Sequence, residues 1–254
     1  MIHSELLFYL SMTMIVSGIV AFFVLLFVPS PYGRNANSAF GPPVPAKIAW
    51  LIQEIPAFLI PVYFIIELLF FKTSDSSNVR DAVLLLAPFI LHYFQRSLIY
   101  PMLIRGGKPM PAVPFLLAFI FCIYNGYLQS SYIINYGYFH WDFISAAGYA
   151  LFAAGMAGNI HSDQILRSLR KPGETGYKIP HGGLFSLVSG ANFLAEIVEW
   201  TGFALLNHSL PAVAFALFTA ANTAPRAWHH HLWYLKKFGD EYPKNRKAIL
   251  PYLI

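Results

Sequence analysis

The chain has 254 residues, of which 57% are hydrophobic, 17% are aromatic and only 11% are Asp, Glu, Lys or Arg. Average soluble proteins carry about 25% charged residues, so this composition excludes a soluble globular domain, a disordered chain and a coiled coil. The formal charge is +5, and Cys122 is the only cysteine, which excludes an internal disulfide and a cysteine metal cage. A membrane helix takes about 20 residues, so the length has room for up to about eight spans.

Apolar runs predict seven spans in chain order, at about 6–29, 47–71, 82–104, 111–135, 143–164, 184–207 and 209–228. The first has neither a basic leader nor a small-residue cleavage site, and it reads as a retained helix. Cations test the count. With the N-terminus outside, the loops after spans one, three and five and the C-terminus hold 14 Lys and Arg, among them Arg34, Arg105, Lys108, Arg167, Arg170, Lys171, Lys178 and Arg226. The opposite side holds Lys72 and Arg80, and Arg96 lies inside a span. This alternation follows the positive-inside rule and puts the C-terminus in the cytoplasm. Asn207–Pro211 must then be a tight hairpin, and the aromatic, basic stretch 229–254 is expected at the cytoplasmic interface or capping an opening there. No repeat or long linker divides the chain. The expected architecture is all-α, a single seven-helix membrane domain over 1–254.

Ionisable groups at membrane depth point to function. Glu54 precedes Pro56, which removes a backbone hydrogen bond beside the carboxyl. Alternatively, Glu54 reaches to the interface from a helix end. His92, Tyr93 and Arg96 share one side of the third span, either as reactive groups or as a cluster fastening helices. Asn159, Asp163, Arg167 and Arg170 recur at i, i+4, i+8 and i+11, one helical face ending in cations with Lys171. Such a face suits a ligand with a neutral end and a phosphorylated tail; a plain positive-inside loop explains the cations but not Asn159 and Asp163. Asn192, Glu196 and Glu199 form another face, for a ligand, a wet cavity or helix-to-helix contact. Arg226, His230 and Tyr234 form a third. His229–His231 are adjacent and point about 100° apart on a helix, so no metal site is expected. No Rossmann, Walker, Gly-x-Ser-x-Gly or His-Glu-x-x-His motif is present. A bound dinucleotide would have to be held by helices and loops.

The stretches HYFQRSLIYPMLIRGGKPMP, NGYLQSSY, NIHSDQILRSLRKPGETGYKIPHGGLF, GANFLAEIVEW and HHHLWYLKKFGDEYPKNRKAILPYL together resemble the steroid 5α-reductases, above all the animal type 1 and type 2 enzymes. The likeness runs from about Tyr32-Gly33-Arg34 to the C-terminus. It implies a seven-helix membrane oxidoreductase that uses NADPH to reduce the C4–C5 double bond of a 3-oxo-Δ4 steroid. Hydride would go to C5 while the C3 carbonyl is polarised by Tyr93 and Glu54. Asn159, Asp163, Arg170, Tyr177, Asn192, Glu196, Arg226, His230 and Tyr234 match the family's cofactor-holding positions, and Arg105 lies on its Arg-Gly loop. Arg167 and Lys171 are further candidates for the phosphates. The sequence departs from the family at Gln95, which replaces a common His, at Pro225 before Arg226, and in an extra Gly between Arg105 and Lys108.

The expected partners are a steroid entering from lipid and the membrane lipids themselves, with no nucleic acid, for a monomer. The membrane would be the endoplasmic reticulum in a eukaryote or the inner membrane in a bacterium. Rival readings are a reductase of another lipid enone or enoyl substrate, an S-adenosylmethionine-dependent membrane methyltransferase sharing only the C-terminal stretch, and a non-enzymatic sterol carrier.

Overall fold

The computed structural model describes residues 2–70, 76–106, 108–169 and 176–254. Seven long helices make the architecture: α1 (Ile2–Phe27), α2 (Ala46–Phe70), α3 (Ser76–Phe94), α4 (Ala112–Tyr136), α5 (Phe143–Ser168), α6 (Ala191–Asn207) and α7 (Leu210–Phe238). α3 runs on through a π-helical turn, Gln95–Ile99, into Tyr100–Leu103. Among the described residues, five helical stretches are long and apolar enough to cross a membrane: His3–Phe27, Ala46–Phe70, Asn78–Leu103, Ala112–Tyr136 and Phe143–Ser168. The last two helices are not among them. α6 has 17 residues, and the second half of α7 carries Arg226, three histidines, Lys236 and Lys237.

Local chemistry sets the helix boundaries. Asp142 caps α5 in a reciprocal box: its carboxylate accepts from Ser145 N at 2.8 Å, and Ser145 Oγ accepts from Asp142 N at 3.0 Å. Asn207–Pro211 is the expected hairpin. His208 takes a left-handed conformation (φ 46°), and the Ser209 hydroxyl caps α7 by accepting from Ala212 N. α2 continues through Pro56 and Pro61, and α7 through Pro225.

Four features differ from the predicted elements. The sixth helix begins at Ala191 rather than near 184, because Gly182 and Gly183 both have positive φ and lead into a single 3₁₀ turn. The backbone N–H groups of Ser189 and Gly190 then donate to Lys247 and Ala248 instead of continuing a helix. The seventh helix does not stop at 228; it extends about 15 Å farther, to Phe238. The third span contains the π turn. Two short strands, β1 (Pro43–Val44) and β2 (Met110–Pro111), pair antiparallel and clip the loop before α2 to the loop before α4.

α5 and α6 pack closest. A side chain at Gly155 would collide with the backbone of Glu199 and Ala195, and one at Gly202 with that of Phe152 and Gly148. Small residues let these backbones touch, a common way for membrane helices to associate. Beside this contact lies an aromatic core of Phe89, Tyr93, Trp200, Phe203 and Phe215. The C-terminal segment returns along the bundle, with Tyr242, Ala248 and Ile249 buried.

Candidate active site

A cavity of about 310 Å³ opens where residues 29–35, 104–106, 108–110 and 176–178 meet the start of α2, the extension of α3, the end of α5, the start of α6 and the second half of α7. Among the described residues its wall holds seven Lys and Arg side chains and a single carboxylate, Asp163. The predicted residues Arg105, Asp163, Arg167, Tyr177, Asn192, Arg226, His230 and Tyr234 line it. Asn159 stands behind the wall and donates to the Asn192 carbonyl at 3.1 Å. Arg170 and Lys171 lie outside the described residues.

The α7 stripe survives Pro225, because the helix is unbroken. Arg226 donates to Asn222 at 2.9 Å and stacks between Tyr32 and Phe193, 4.9 and 4.8 Å from their ring centres. His230 meets the edge of Phe193. Tyr234 stacks on Tyr242 at 5.3 Å. The three adjacent histidines turn to three different partners: His229 to the Leu25 carbonyl, His230 to Phe193 and His231 to Ser189.

Arg96 forms the inner wall. It donates to Asp163 at 2.8 Å and approaches Glu196 at 3.7 Å. Its guanidinium lies over Trp50 at 4.6 Å and over Tyr100 at 4.4 Å. The other face of the α6 stripe goes elsewhere: Glu199 Oε1 pairs with His92 Nδ1 at 2.7 Å, both side chains buried, and Trp200 packs against the His92 ring.

Glu54 and Tyr93 do not line this cavity. They belong to a second cluster, deeper in the bundle. Tyr93 interacts with Glu54, Cys122 and Asn125, and Cys122 Sγ contacts Glu54 Oε2 at 3.7 Å. Arg96 links the two regions, since it stands in the cavity wall and also interacts with Glu54. The arrangement therefore joins a cation-lined chamber to a half-buried carboxyl beside a buried phenol.

In the sequence Arg34 marks topology and ends the triplet where the family likeness begins. Here it lines the cavity, with its guanidinium 4.4 Å from the centre of the Trp233 ring, and burial pulls its pKa below the usual arginine value. The signal was the Tyr-Gly-Arg triplet, whose Gly33 takes positive φ (60°). Trp50, Tyr100 and Lys178 also line the chamber unpredicted.

A family model described as 3-oxo-5-alpha-steroid 4-dehydrogenase matches residues 108–254. The chain is 50% identical over 243 residues to 3-oxo-5-alpha-steroid 4-dehydrogenase 1 of Bos taurus, covering 93% of each chain. It is 47% identical over 230 residues to the type 1 protein of Homo sapiens (88% of this chain, 86% of the relative). To the type 2 protein of Homo sapiens it is 44% identical over 249 residues (96% and 94%). Together with its apolar helices, this defines a multi-pass membrane oxidoreductase acting on a CH–CH bond. The chain belongs to the 3-oxo-5-alpha-steroid 4-dehydrogenase family.

Removing one partner of a buried ion network leaves charges uncompensated, at a cost of about 3–5 kcal/mol. Arg96→Leu should therefore lower the melting temperature of the detergent-solubilised protein markedly, and Arg96→Lys should lower it less. Equal melting of Arg96→Leu and wild type would show that the network carries no stability.

Proposed function

We propose that the protein reduces the C4–C5 double bond of 3-oxo-Δ4 steroids, with NADPH in the cation-lined chamber and the substrate's C3 carbonyl at Tyr93 and Glu54. The observation that carries this reading is the juxtaposition itself: a buried phenol beside a carboxyl, one arginine network away from a chamber rich in cations. The activity for which the family is named supports it.

The chamber's chemistry fits a dinucleotide phosphate. Arg34, Arg105, Lys108, Arg167, Lys178 and Arg226 are its donors besides Arg96. Arg167 Nη1 is buried without a hydrogen-bond partner among the described residues, a donor awaiting an acceptor. The desolvated Arg34 guanidinium would likewise be favoured by a bound anion. Asn159 fixes the Asn192 backbone at the inner end. When bound there, NADPH supplies the hydride.

The chain's own contribution is electrostatic. In a conjugated enone, reduction at C5 pushes charge onto the C3 oxygen, and a preorganised donor there lowers the barrier. Tyr93 Oη–H is that donor. Glu54 orients the phenol, and the Cys122 thiol points to Oε2 of Glu54. Steroid reaches this depth from the lipid, whereas the cofactor enters at the loop end of the bundle. All seven helices cross, with the N-terminus outside and the C-terminus cytoplasmic. The protein works as a monomer.

Membranes incubated with NADPH and a panel of 3-oxo-Δ4 steroids should show steroid-dependent NADPH consumption and products two hydrogens heavier. No such consumption overturns the reading. Tyr93→Phe and Glu54→Gln should each lower turnover by about 10²–10³ or more while NADPH still binds; wild-type rates in both would remove the pair from catalysis. Arg226→Ala deletes a charged donor of the chamber and should raise the NADPH concentration for half-maximal rate by about 10–100-fold. An unchanged requirement takes Arg226 out of the cofactor site. For topology, single cysteines replacing Tyr138 and Lys244, both exposed, should react with an impermeant maleimide from opposite sides of sealed vesicles. Labelling from one side would contradict the crossing number.

A further inference from the structure

The stretch NGYLQSSY, one of those that carry the family likeness, holds two buried amides. Asn125 and Gln129 lie one turn apart on α4, and neither is exposed at all. Gln129 Nε2 donates to the Pro211 carbonyl at 2.9 Å and to Asn125 Oδ1 at 3.1 Å. A backbone carbonyl only accepts. Pro211 therefore fixes which way round the Gln129 amide sits, and Gln129 in turn fixes the amide of Asn125.

The result is a donor held in one orientation. Asn125 Oδ1 is turned to Gln129, and Nδ2 is buried with no hydrogen-bond partner among the described residues. An unpartnered buried N–H is costly, and such groups in native proteins call for an explanation. Flipping the amide would set its NH₂ against that of Gln129, so the orphan cannot relieve itself. Tyr93 lies close enough to the Asn125 side chain to interact with it, short of a formed hydrogen bond.

We propose that Asn125 is a positioning residue for the reaction assigned above: its Nδ2 donates to the phenolic oxygen of Tyr93 when the Tyr93 hydroxyl turns onto the substrate carbonyl. Hydrogen bonds of a catalytic group are commonly long before substrate binds and tighten afterwards. As charge builds on the C3 oxygen, the Tyr93 O–H bond polarises and its oxygen becomes a better acceptor. The Asn125 donor strengthens with it, because chained hydrogen bonds polarise one another. Asn125 thus acts through Tyr93 and touches neither substrate nor cofactor. The chain Pro211–Gln129–Asn125–Tyr93 also anchors the reacting phenol to the hairpin between α6 and α7.

This rests on Tyr93 being the carbonyl donor, and the test separates the two claims. Asn125→Ala and Asn125→Ser leave nearly the same void and differ by a hydroxyl that can donate. Asn125→Ala should lower kcat by about 10–100-fold, the usual worth of an outer partner that orients an acting group. The steroid KM and the rise in melting temperature with NADPH should stay as in wild type. Asn125→Ser should recover part of the lost kcat. Equal kcat in the Ala and Ser variants, wild-type kcat in Asn125→Ala, or a loss matched by lost NADPH stabilisation each overturns the proposal. Tyr93→Phe runs beside them. If it keeps wild-type turnover, the carbonyl-site reading falls; if it is inactive while Asn125→Ala is not, only the role of Asn125 falls.

Discussion

A guanidinium out of water needs charge, hydrogen bonds or aromatic faces on every side, and Arg96 meets that need with groups from four helices. Asp163 from α5 and Glu196 from α6 supply the carboxylates, Trp50 from α2 supplies a ring, and Tyr100 supplies a second from beyond the π turn. Desolvation makes an uncompensated charge here so unfavourable that the four segments are held in one arrangement. The chamber on one side and the Glu54–Tyr93 cluster on the other are both positioned by it. The same group thus sets the distance between the cation-lined chamber and the Glu54–Tyr93 cluster.

The neighbouring His92–Glu199 pair depends on the same packing. Glu199 is brought to His92 because Gly155 lets the α5 backbone lie directly against α6 at that residue. Two successive turns of α6 are therefore committed differently, Glu196 to the Arg96 network and Glu199 to the residue next to Tyr93. A polar stripe on one helix can serve two clusters when its carboxyls diverge by a single turn.

Much of this was readable from periodicity. The stripes on α5 and α7 were legible because i, i+4 spacing on a continuous helix needs no tertiary knowledge, and the structure places Asp163, Arg167, Arg226, His230 and Tyr234 on one cavity. What stayed hidden depends on contacts between distant segments. Arg34 belongs to an irregular loop with no period, and only its stacking on Trp233, about two hundred residues on, brings it to the wall. Apolar runs marked 184–190 as membrane-spanning, but two consecutive left-handed glycines and bonds to the C-terminal segment take it out of the helix. In the sequence Asn125 stands out only as part of the NGYLQSSY stretch. Its meaning lies in an amide orientation set by a carbonyl more than eighty residues away.

The π turn at Gln95–Ile99 amounts to one extra residue threaded into an otherwise regular helix. The two halves of that helix are therefore out of phase by roughly 100° relative to an uninterrupted one. Tyr93 precedes the wide turn and faces the deep cluster, whereas Tyr100 follows it and faces the chamber. Insertions and deletions here act differently from substitutions. Losing a single residue between 95 and 99 would let the helix close into regular α-geometry, turning the two tyrosines relative to each other without altering either.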